Sequence, residues 1–370
     1  MDRPKIHIVN EYGNDLRPHS TTFIRLIRPL THPQCEPYLD TTFDLRYRGN
    51  PVDLVIVDRL WRPDVSLDLV KVLINEIRMA EAKFIYTLDD NFFDLVMENK
   101  GWPPIEFLPI VEYLLLQADG VFVTTHKLKN RFQSFNANIT VLPNVLDERL
   151  LVRRIPSEDY SRNSSRRIVI GYMGTLTHDE DLMMVLSAIE EVCERYPNKI
   201  EFQVIGAIRK DETKESLRNI PVRYVIPRPH ENEYPLFMLW FTGRINWDIT
   251  ISPLRDTPFN RSKSDIKFLD TCAIGSSGIF SNVASYKSTV QHMETGWLAD
   301  NDKEAWIEAL ERLIADEDLR ISMARNASRY LYSERILAHR GPNWVKAINK
   351  SLGLVNHSPS EIKGGVQENR

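Results

Sequence analysis

Two stretches of this chain alternate short runs of apolar, β-branched residues with segments long enough to form helices. In the first stretch, the runs at 5–9 and 53–57 are mostly apolar, as in strands buried on both faces of a parallel sheet. The segments between such runs have the length that a right-handed helical crossover requires. The alternation restarts at Ile168. The sequence therefore predicts an α/β protein with two doubly wound, Rossmann-like domains facing each other across a cleft.

A polar segment between the two stretches sets the predicted domain boundaries. Residues 153–167 contain four serines and no apolar periodicity, a composition typical of linkers. We therefore assign 1–152 to an N-terminal domain and 168–335 to a C-terminal domain. A further helix within 336–354 is expected to begin near Pro342. The sequence does not decide whether this helix crosses back to pack on the first domain.

Composition argues against several classes of protein. With 47 Lys and Arg against 51 Asp and Glu, the chain lacks the basic surplus of nucleic-acid binders, so we expect no nucleic-acid partner. Three well-separated cysteines without a CxxC motif argue against a disulfide framework or a zinc cluster and fit a reducing cytoplasm. Nothing approaches the 18 or so consecutive apolar residues of a membrane-spanning helix. The polar residues 355–370 are expected to form a disordered tail.

The motifs of several common α/β enzymes are missing. The sequence contains no G-x-G-x-x-G after an early strand, no G-x-x-x-x-G-K-[ST] and no G-x-S-x-G elbow. Dinucleotide binding, P-loop phosphoryl transfer and α/β-hydrolase chemistry are therefore not supported. The sequence stays compatible with ligands that are held by helix N-termini and by scattered basic residues.

The run from Ile170 to His178 combines a strand with a small turn that precedes a helix. Gly174 permits a close approach of the backbone. The N–H groups that follow, beginning with Thr175, are suited to holding an anion at the helix N-terminus. A tight turn without any ligand is the alternative interpretation.

A polar loop and the start of a helix predicted at about 264–274 bring basic residues together. Lys263 and Lys267 are four residues apart on one face, and Asp270 lies on the same side. Two lysines near a helix N-terminus oppose its dipole, whereas a bound diphosphate would make their positions favourable. A solvated charged face is the alternative. The same loop contributes two further polar residues, Asn260 and Ser262.

In the first domain, two acids and two further candidates follow buried strands. Asp89 and Asp90 end one strand-like run, and because adjacent strand side chains point in opposite directions, one of the two faces the cleft. That carboxylate is suited to accepting from a ligand hydroxyl or stabilising positive charge. Capping of the next helix is an equal alternative. Arg59 and Trp61 follow another run and are weaker candidates for ligand binding, with surface packing as the alternative.

Taken in order, these segments resemble the retaining glycosyltransferases of the GT-B fold, family 4 in the usual sequence classification. The resemblance is greatest to the subgroup that serves bacterial surface-polysaccharide assembly, and it covers about residues 5–352. Each segment taken alone is too variable to identify the family. The order of the segments along the chain is what makes the resemblance specific. The segments are 6–10, 118–125, 141–147, 171–178, 247–253, 263–275 and 294–298.

The resemblance implies a nucleotide-diphosphate sugar bound to the second domain and a glycan or lipid-linked acceptor bound to the first, with neither a metal nor another cofactor. Lys263 and Lys267 would neutralise the diphosphate, and Gly174 and Thr175 would approach it through backbone amides. Asp89 or Asp90 would orient the acceptor hydroxyl or stabilise the oxocarbenium-like sugar, and Arg59 and Trp61 would be weaker acceptor-binding candidates. The family's basic pair after the glycine turn is missing. His178 would supply part of that charge, unless it only caps or packs.

Asp270 matches the second acid of the family's E-x7-E element, which resembles a ribose ligand. Ser262 stands where the first acid is expected, and Asp256 is the alternative source of that carboxylate. The residues leave this choice open. These departures keep a non-catalytic nucleotide- or glycan-binding module as an alternative, and the shared two-domain architecture keeps a nucleotide-sugar 2-epimerase as another. We expect a cytoplasmic location, and a peripheral contact with the inner face of the membrane stays open.

Overall fold

A computed structural model describes residues 3–98, 102–152, 167–175, 178–206 and 211–354. The chain divides into two compact units, of which unit 1 comprises residues 1–147 and 336–370 and unit 2 comprises residues 148–335. The predicted linker at 153–167, except its last residue, and the predicted tail at 355–370 lie outside the described residues.

Unit 1 is built on a parallel sheet of six strands in the order β2-β1-β3-β4-β5-β6. The strands are β1 (Lys5–Val9), β2 (Asp40–Asp44), β3 (Leu54–Asp58), β4 (Lys83–Leu88), β5 (Gly120–Val123) and β6 (Ile139–Val141). Every residue of β3 is buried, as its apolar run predicts. The strand order reverses between β1 and β3, and ligands bind doubly wound sheets at the carboxyl ends of strands beside such a switch point.

Helices connect the strands of unit 1. Their bounds are Ser20–Thr22, Arg28–Leu30, Leu67–Met79, Phe92–Met97, Leu108–Gln117, His126–Phe132 and Leu337–Leu352. The first two are joined without a break by a π-helical turn, Phe23–Ile27. Ser66 begins helix Leu67–Met79 by accepting a hydrogen bond from the Leu69 N–H, the usual role of serine at this position.

The C-terminal helix, Leu337–Leu352, lies in the core of unit 1. The Trp344 side chain is buried, and its Nε1 donates to the Arg25 carbonyl at 3.0 Å. The predicted start near Pro342 is wrong, because the helix begins at Leu337 and contains the proline. Pro342 cannot donate a helical hydrogen bond, and the burial of Trp344 and Ile348 stabilises the helix despite that loss.

Unit 2 is built on a second parallel sheet of six strands, in the order β12-β11-β10-β7-β8-β9. The strands are β7 (Ile168–Met173), β8 (Ile200–Ile205), β9 (Val222–Tyr224), β10 (Ile249–Ser252), β11 (Ser277–Ser281) and β12 (Trp297–Ala299). The helices are Asp179–Arg195, Asp211–Ser216, Tyr234–Arg244, Ile266–Ala273, Ala284–Lys287, Lys303–Ala315 and Glu317–Glu334. Here the strand order reverses between β7 and β10, so the loops after these two strands flank the switch point.

The predicted class, α/β with two doubly wound sheets, is confirmed. Two strands had no recognisable pattern. The edge strand β2 is mostly exposed and polar, and β12 is only three residues long. Among the described residues, no helix is long and apolar enough to cross a bilayer.

Candidate functional site

The turn after β7 is closed by aromatic packing. A Cβ on Gly174 would lie 2.3 Å from the Tyr172 hydroxyl oxygen, so a side chain does not fit there. The Tyr172 hydroxyl donates to the His178 carbonyl at 3.3 Å, and the His178 N–H donates to the Thr175 carbonyl at 3.0 Å. Thr175 itself is exposed. Packing against Tyr172 is therefore sufficient to explain why position 174 is a glycine, with or without a ligand at the turn.

The loop after β10 differs from its prediction. Residues Asn260–Ser262 form a 3-10 turn, Lys263 is extended, and the helix begins only at Ile266. Asp265 precedes that helix, and its carboxylate accepts two hydrogen bonds from Arg335, at 2.8 and 2.9 Å. The prediction that Lys263 and Lys267 share one helical face is therefore wrong, because Lys263 lies outside the helix.

Asp181 connects the loops after β7 and β10, and no sequence pattern singled it out. Its side chain is 1% exposed; the carboxylate accepts from the Arg255 backbone N–H at 2.9 Å and lies 2.8 Å from His178 Nδ1. Asn260 Nδ2 donates to the Arg255 carbonyl at 2.9 Å and lies 3.5 Å from an Asp181 carboxylate oxygen. In the sequence Asp181 is one of three acids at a helix start, a common stabilising pattern. Its near-complete burial between the two loops distinguishes it from Glu180, whose carboxylate pairs with Arg255 and is 39% exposed.

His178 and Lys263 meet at this switch point. His178 Nε2 lies 3.3 Å from Lys263 Nζ, which also lies 4.8 Å from the centre of the Phe259 ring. Burial and the charge of Lys263 lower the pKa of His178 to about 4, and Asp181 opposes them only in part. His178 is therefore neutral at pH 7 and does not carry the positive charge that the resemblance implied. An anion bound beside it would raise its pKa.

Lys267 and Asp270 both lie on helix Ile266–Ala273. Burial lowers the pKa of Lys267, with the Asp270 carboxylate opposing that effect and the charge of Lys263 adding to it. Burial also raises the pKa of Asp270 to about 6, against the attraction of Lys267. The two side chains are thus held toward their neutral forms. A dianionic ligand would favour the charged form of Lys267.

The two candidates for the first acid of the E-x7-E element lie in different surroundings. Ser262 is buried. Asp256 is 49% exposed, and its carboxylate accepts two hydrogen bonds from Arg261, at 2.8 and 2.9 Å. The structure thus brings His178, Lys263 and Asn260 to the switch point, whereas Asp256 belongs to an exposed ion pair. The ribose-binding roles of Ser262, Asp256 and Asp270 stay predictions.

Unit 1 has a separate polar cluster at the carboxyl ends of β1, β3 and β4. Arg59 follows β3 with a φ of 45°, a backbone conformation that non-glycine residues rarely adopt outside constrained sites. Its Nε lies 3.2 Å from a Glu11 carboxylate oxygen, and its Nη1 lies 3.6 Å from Asp89. Nη1 also donates to the Thr21 hydroxyl at 3.2 Å. Glu11 was not singled out by the sequence, because its partners lie far from it along the chain.

Two further buried groups, Asp58 and Arg25, lie close enough to influence this cluster. The Thr22 hydroxyl donates to the Asp58 carboxylate. Burial and the charge of Glu11 raise the pKa of Asp58 to about 7. Arg25, on the π-helical turn, donates to the Leu142 carbonyl at 2.5 Å and to the Asn144 side chain at 3.2 Å. Burial lowers the pKa of Arg25, and Asp89 and Asp58 oppose that effect.

The structure also tests the predictions for helix capping and for Trp61 in unit 1. Asn91, rather than Asp89 or Asp90, caps the helix Phe92–Met97 by accepting from the Asp94 N–H at 3.3 Å. The capping interpretation of the two acids is therefore wrong. Trp61 is only 4% exposed and so offers little surface to an acceptor.

Trp102, by contrast, is 42% exposed and lies over Arg59, with 5.5 Å between its ring centre and the guanidinium carbon. The sequence analysis did not select this tryptophan. Its exposure beside a buried charged cluster became recognisable only in the folded unit.

Comparisons with known proteins agree with this architecture. Residues 167–316 match the model of the family described as "Glycosyl transferases group 1". A D-inositol 3-phosphate glycosyltransferase of Corynebacterium urealyticum is 25% identical over 174 residues, which are 44% of this chain and 38% of the relative. The chain thus spans well under half the length of this curated relative.

Two solved structures share the fold over nearly the whole chain. Sucrose-phosphate synthase from Thermosynechococcus elongatus aligns with 95% of this chain and 100% of its own, with a TM-score of 0.66 and 14% identity. HepE of Anabaena was solved in complex with UDP and glucose. It aligns with 94% of this chain and 100% of its own, with a TM-score of 0.64 and 13% identity. The fold is of the GT-B type, and the segment that matches the family model lies within unit 2.

Proposed function

We propose that the protein is a retaining glycosyltransferase that transfers a sugar from a nucleotide-diphosphate donor to a glycan or lipid-linked acceptor. The observation that carries this proposal is the grouping of Lys263, Lys267 and His178 at the switch point of unit 2, within the segment that matches the glycosyltransferase family. Charge develops on the leaving diphosphate during glycosyl transfer, and fixed positive groups at that position stabilise the transition state.

Each donor-binding residue has a defined task in this proposal. Lys263 and Lys267 neutralise the diphosphate, and the backbone of Gly174 and Thr175 approaches its oxygens. His178, neutral at pH 7, keeps one imidazole nitrogen toward Asp181 and the other toward Lys263. It therefore positions the lysine rather than adding charge.

The ribose of the donor requires hydroxyl ligands. Asp270 is the proposed ribose ligand, with Ser262 or Asp256 as its partner and Asn260 in the same loop. Hydrogen bonds from ribose hydroxyls would favour the ionised carboxylate of Asp270, whose pKa burial raises.

In unit 1, Asp89 and Asp90 are the proposed catalytic carboxylates, and Arg59 the proposed acceptor-binding residue. A carboxylate here would orient the acceptor hydroxyl or stabilise the oxocarbenium-like sugar. The resemblance to surface-polysaccharide enzymes supports a role in bacterial surface-polysaccharide synthesis, in the cytoplasm or in peripheral contact with the membrane. HepE bound UDP and glucose in its crystal, which supports a nucleotide sugar as the donor class.

The testing experiment incubates the purified chain with a panel of nucleotide sugars, with and without a pool of glycan and lipid-linked acceptors. We expect release of a nucleoside diphosphate that depends on acceptor, and a product whose anomeric configuration matches that of the donor. Tight donor binding without turnover would instead identify a non-catalytic module. Isomerisation of the donor without acceptor would identify a 2-epimerase. Inversion of the anomeric centre would contradict the retaining mechanism.

A further inference from the structure

We infer that Arg335 is a positioning residue of the proposed donor site and that it acts through Asp265. The ion pair between these two side chains fixes the segment from which Lys263 and Lys267 extend toward the diphosphate of the donor. The inference rests on the proposed function, because it explains how the two lysines of that site are held in place. No sequence pattern selected Arg335, which lies 70 residues from Asp265 in the chain.

The Arg335 guanidinium binds both oxygens of the Asp265 carboxylate. Its Nη1 donates to one oxygen at 2.8 Å, and its Nη2 donates to the other at 2.9 Å. The exposed fractions of the two side chains are only 11% and 9%. Two parallel hydrogen bonds from a planar guanidinium fix orientation as well as distance, so the pair leaves Asp265 little freedom to move.

Asp265 stands where the basic segment of unit 2 turns into a helix. Its carbonyl accepts from the Phe268 N–H at 2.9 Å, in the first turn of helix Ile266–Ala273. Lys263 precedes Asp265 by two residues and has an extended backbone. Lys267 follows Asp265 by two residues, within that first turn. An anchor at Asp265 therefore sets the starting points of both lysine side chains.

A second contact holds the same face of this helix. The Tyr330 hydroxyl accepts from Arg335 Nη1 at 3.2 Å, and the Tyr330 ring lies 5.7 Å from the Phe268 ring, centre to centre. Asp265 and Phe268 are three residues apart and so share a face. Lys267, which is half-buried, lies on another face. The anchored face is thus distinct from the face that carries the lysine.

Stability alone explains this ion pair poorly. Taking a guanidinium and a carboxylate out of water costs about as much free energy as their attraction returns, and apolar residues of similar size often make a protein equally or more stable. Apolar residues do not, however, hold a side chain in one direction. We therefore expect the pair to matter more for the affinity of the donor site than for folding.

The experiment measures the affinity of the full chain for UDP, GDP, ADP and dTDP by calorimetry. The main variant replaces the pair by apolar residues, Arg335→Met with Asp265→Leu, and leaves the net charge unaltered. Its midpoint of urea unfolding should equal or exceed that of the wild type. Its affinity for the nucleotide that the wild type binds most tightly should fall by about fivefold or more. An unchanged affinity would overturn the inference.

Conservative single substitutions separate positioning from direct contact with phosphate, and they test the inference even where the apolar pair fails to fold. On charge alone, Asp265→Asn should tighten binding of a diphosphate, because it removes a nearby negative charge. If Asp265 positions the lysines, the same variant should weaken binding by about threefold or more. Arg335→Lys should also weaken it, since lysine keeps the charge but cannot bind both oxygens in one plane. Tighter binding by Asp265→Asn, or wild-type affinity in Arg335→Lys, would overturn the inference.

Arg320→Ala is the matched control. Arg320 is another buried arginine of the helix that ends just before Arg335, and it donates to the Leu313 carbonyl at 2.5 Å. Its removal should lower the urea midpoint and leave nucleotide affinity within about twofold. An equal loss of affinity in this control would show that binding merely follows stability, and would overturn the inference.

Failure of the proposed function has a separate readout. If the wild type binds none of the four nucleotides, the proposed function is contradicted, and the inference falls with it. If the wild type binds a nucleotide and the Arg335 and Asp265 variants bind it equally well, the inference alone is overturned.

Discussion

The switch points of the two sheets occupy equivalent places in their units and carry opposite kinds of chemistry. In unit 1, the acids Glu11, Asp58 and Asp89 surround Arg59. In unit 2, Lys263 contacts a neutral His178 that Asp181 orients, and the charge of Lys267 also acts on this histidine. A parallel sheet that reverses its strand order creates a site at its carboxyl edge, but the loops determine which charge is found there.

The two clusters share one physical feature. Burial raises the pKa of Asp58 in unit 1 and of Asp270 in unit 2, and in each case the nearby cation only partly offsets the cost of burying a charge. Such groups are poorly stabilised for folding alone and are typical of sites that bind or transform a ligand. The following experiments test whether the two edges differ as the structure indicates.

The largest expected effect concerns the closed turn of unit 2. Gly174→Ala should lower the free energy of unfolding by about 3 kcal/mol, because the new Cβ would overlap the Tyr172 ring. Gly13→Ala in the loop after β1 is the matched control, since its Cβ would meet Asp15 only at 3.5 Å. Urea unfolding measures both. Equal stabilities for the two variants would show that the turn after β7 is not closed in this way.

The next effect concerns the connection between the loops of unit 2. Asp181→Asn should cost about 2 kcal/mol of stability, because an amide cannot accept all the hydrogen bonds that the buried carboxylate accepts. It should also raise the dissociation constant for a nucleoside diphosphate, measured by calorimetry. A change in neither quantity would remove Asp181 from the site. Asp179→Asn, a neighbouring acid of the same helix start, is the comparison variant.

The two edges should differ in nucleotide affinity. Lys267→Ala should weaken binding of the donor nucleotide by about tenfold or more, the loss of one hydrogen bond to a charged group. Asp89→Ala in unit 1 should change it by less than about twofold, and Lys287→Ala, at an exposed position of unit 2, should have no effect. Equal losses for Lys267→Ala and Asp89→Ala would mean that the roles of the two units are assigned wrongly.

The pH dependence of stability tests the buried acids of both units. The folded pKa values of Asp58 and Asp270 are about 7 and about 6, against 3.8 for an ordinary Asp. Above pH 4 the folded chain binds protons at these two acids that the unfolded chain has released, so their contribution to stability should fall as pH rises from 5 to 8. His178 and His19 contribute in the opposite direction up to about pH 6.5, because burial lowers their folded pKa values to about 4. Asp58→Asn and Asp270→Asn imitate the protonated forms. Each should raise stability at pH 8 by about 1 kcal/mol or more, and by less at pH 5. A gain over the wild type that does not grow between pH 5 and pH 8 would contradict the assigned pKa shifts.

The smallest effect should come from the exposed pair of unit 2. Asp256→Asn should change stability by no more than about 0.5 kcal/mol, because exposed ion pairs contribute little. We expect nucleotide affinity to change by less than about twofold. A tenfold loss measured by calorimetry, absent in Ser262→Ala, would instead assign the missing first acid of the E-x7-E element to Asp256.

Most of the fold could be predicted, because its elements have strong local signals. The strand Lys5–Val9 was predicted to the residue, and the apolar run at 53–57 lies one residue from the observed strand Leu54–Asp58. The edge strand β2 was missed because an exposed strand lacks an apolar run. The start of the last helix was misplaced because a proline usually begins a helix, whereas burial of Trp344 extends this one beyond Pro342.

The candidate site was predicted less completely, for a physical reason. Lys263, Lys267 and His178 could be selected because each stands in a turn or at a predicted helix start. Asp181 could not, because its importance lies in contacts with Arg255 and Asn260, which lie 74 and 79 residues away in the chain.

The sequence by itself determined where most strands and helices form, and hence that each unit has a carboxyl edge with loops able to hold a ligand. Local hydrophobic patterns and turn residues are sufficient for that. Only the tertiary structure decided which charges meet there: Glu11 and Asp89 on Arg59 in unit 1, and His178 with Lys263 in unit 2. Burial and electrostatic interactions act between residues distant in sequence. The protonation of these groups, and the ligands they suit, are therefore properties of the folded chain.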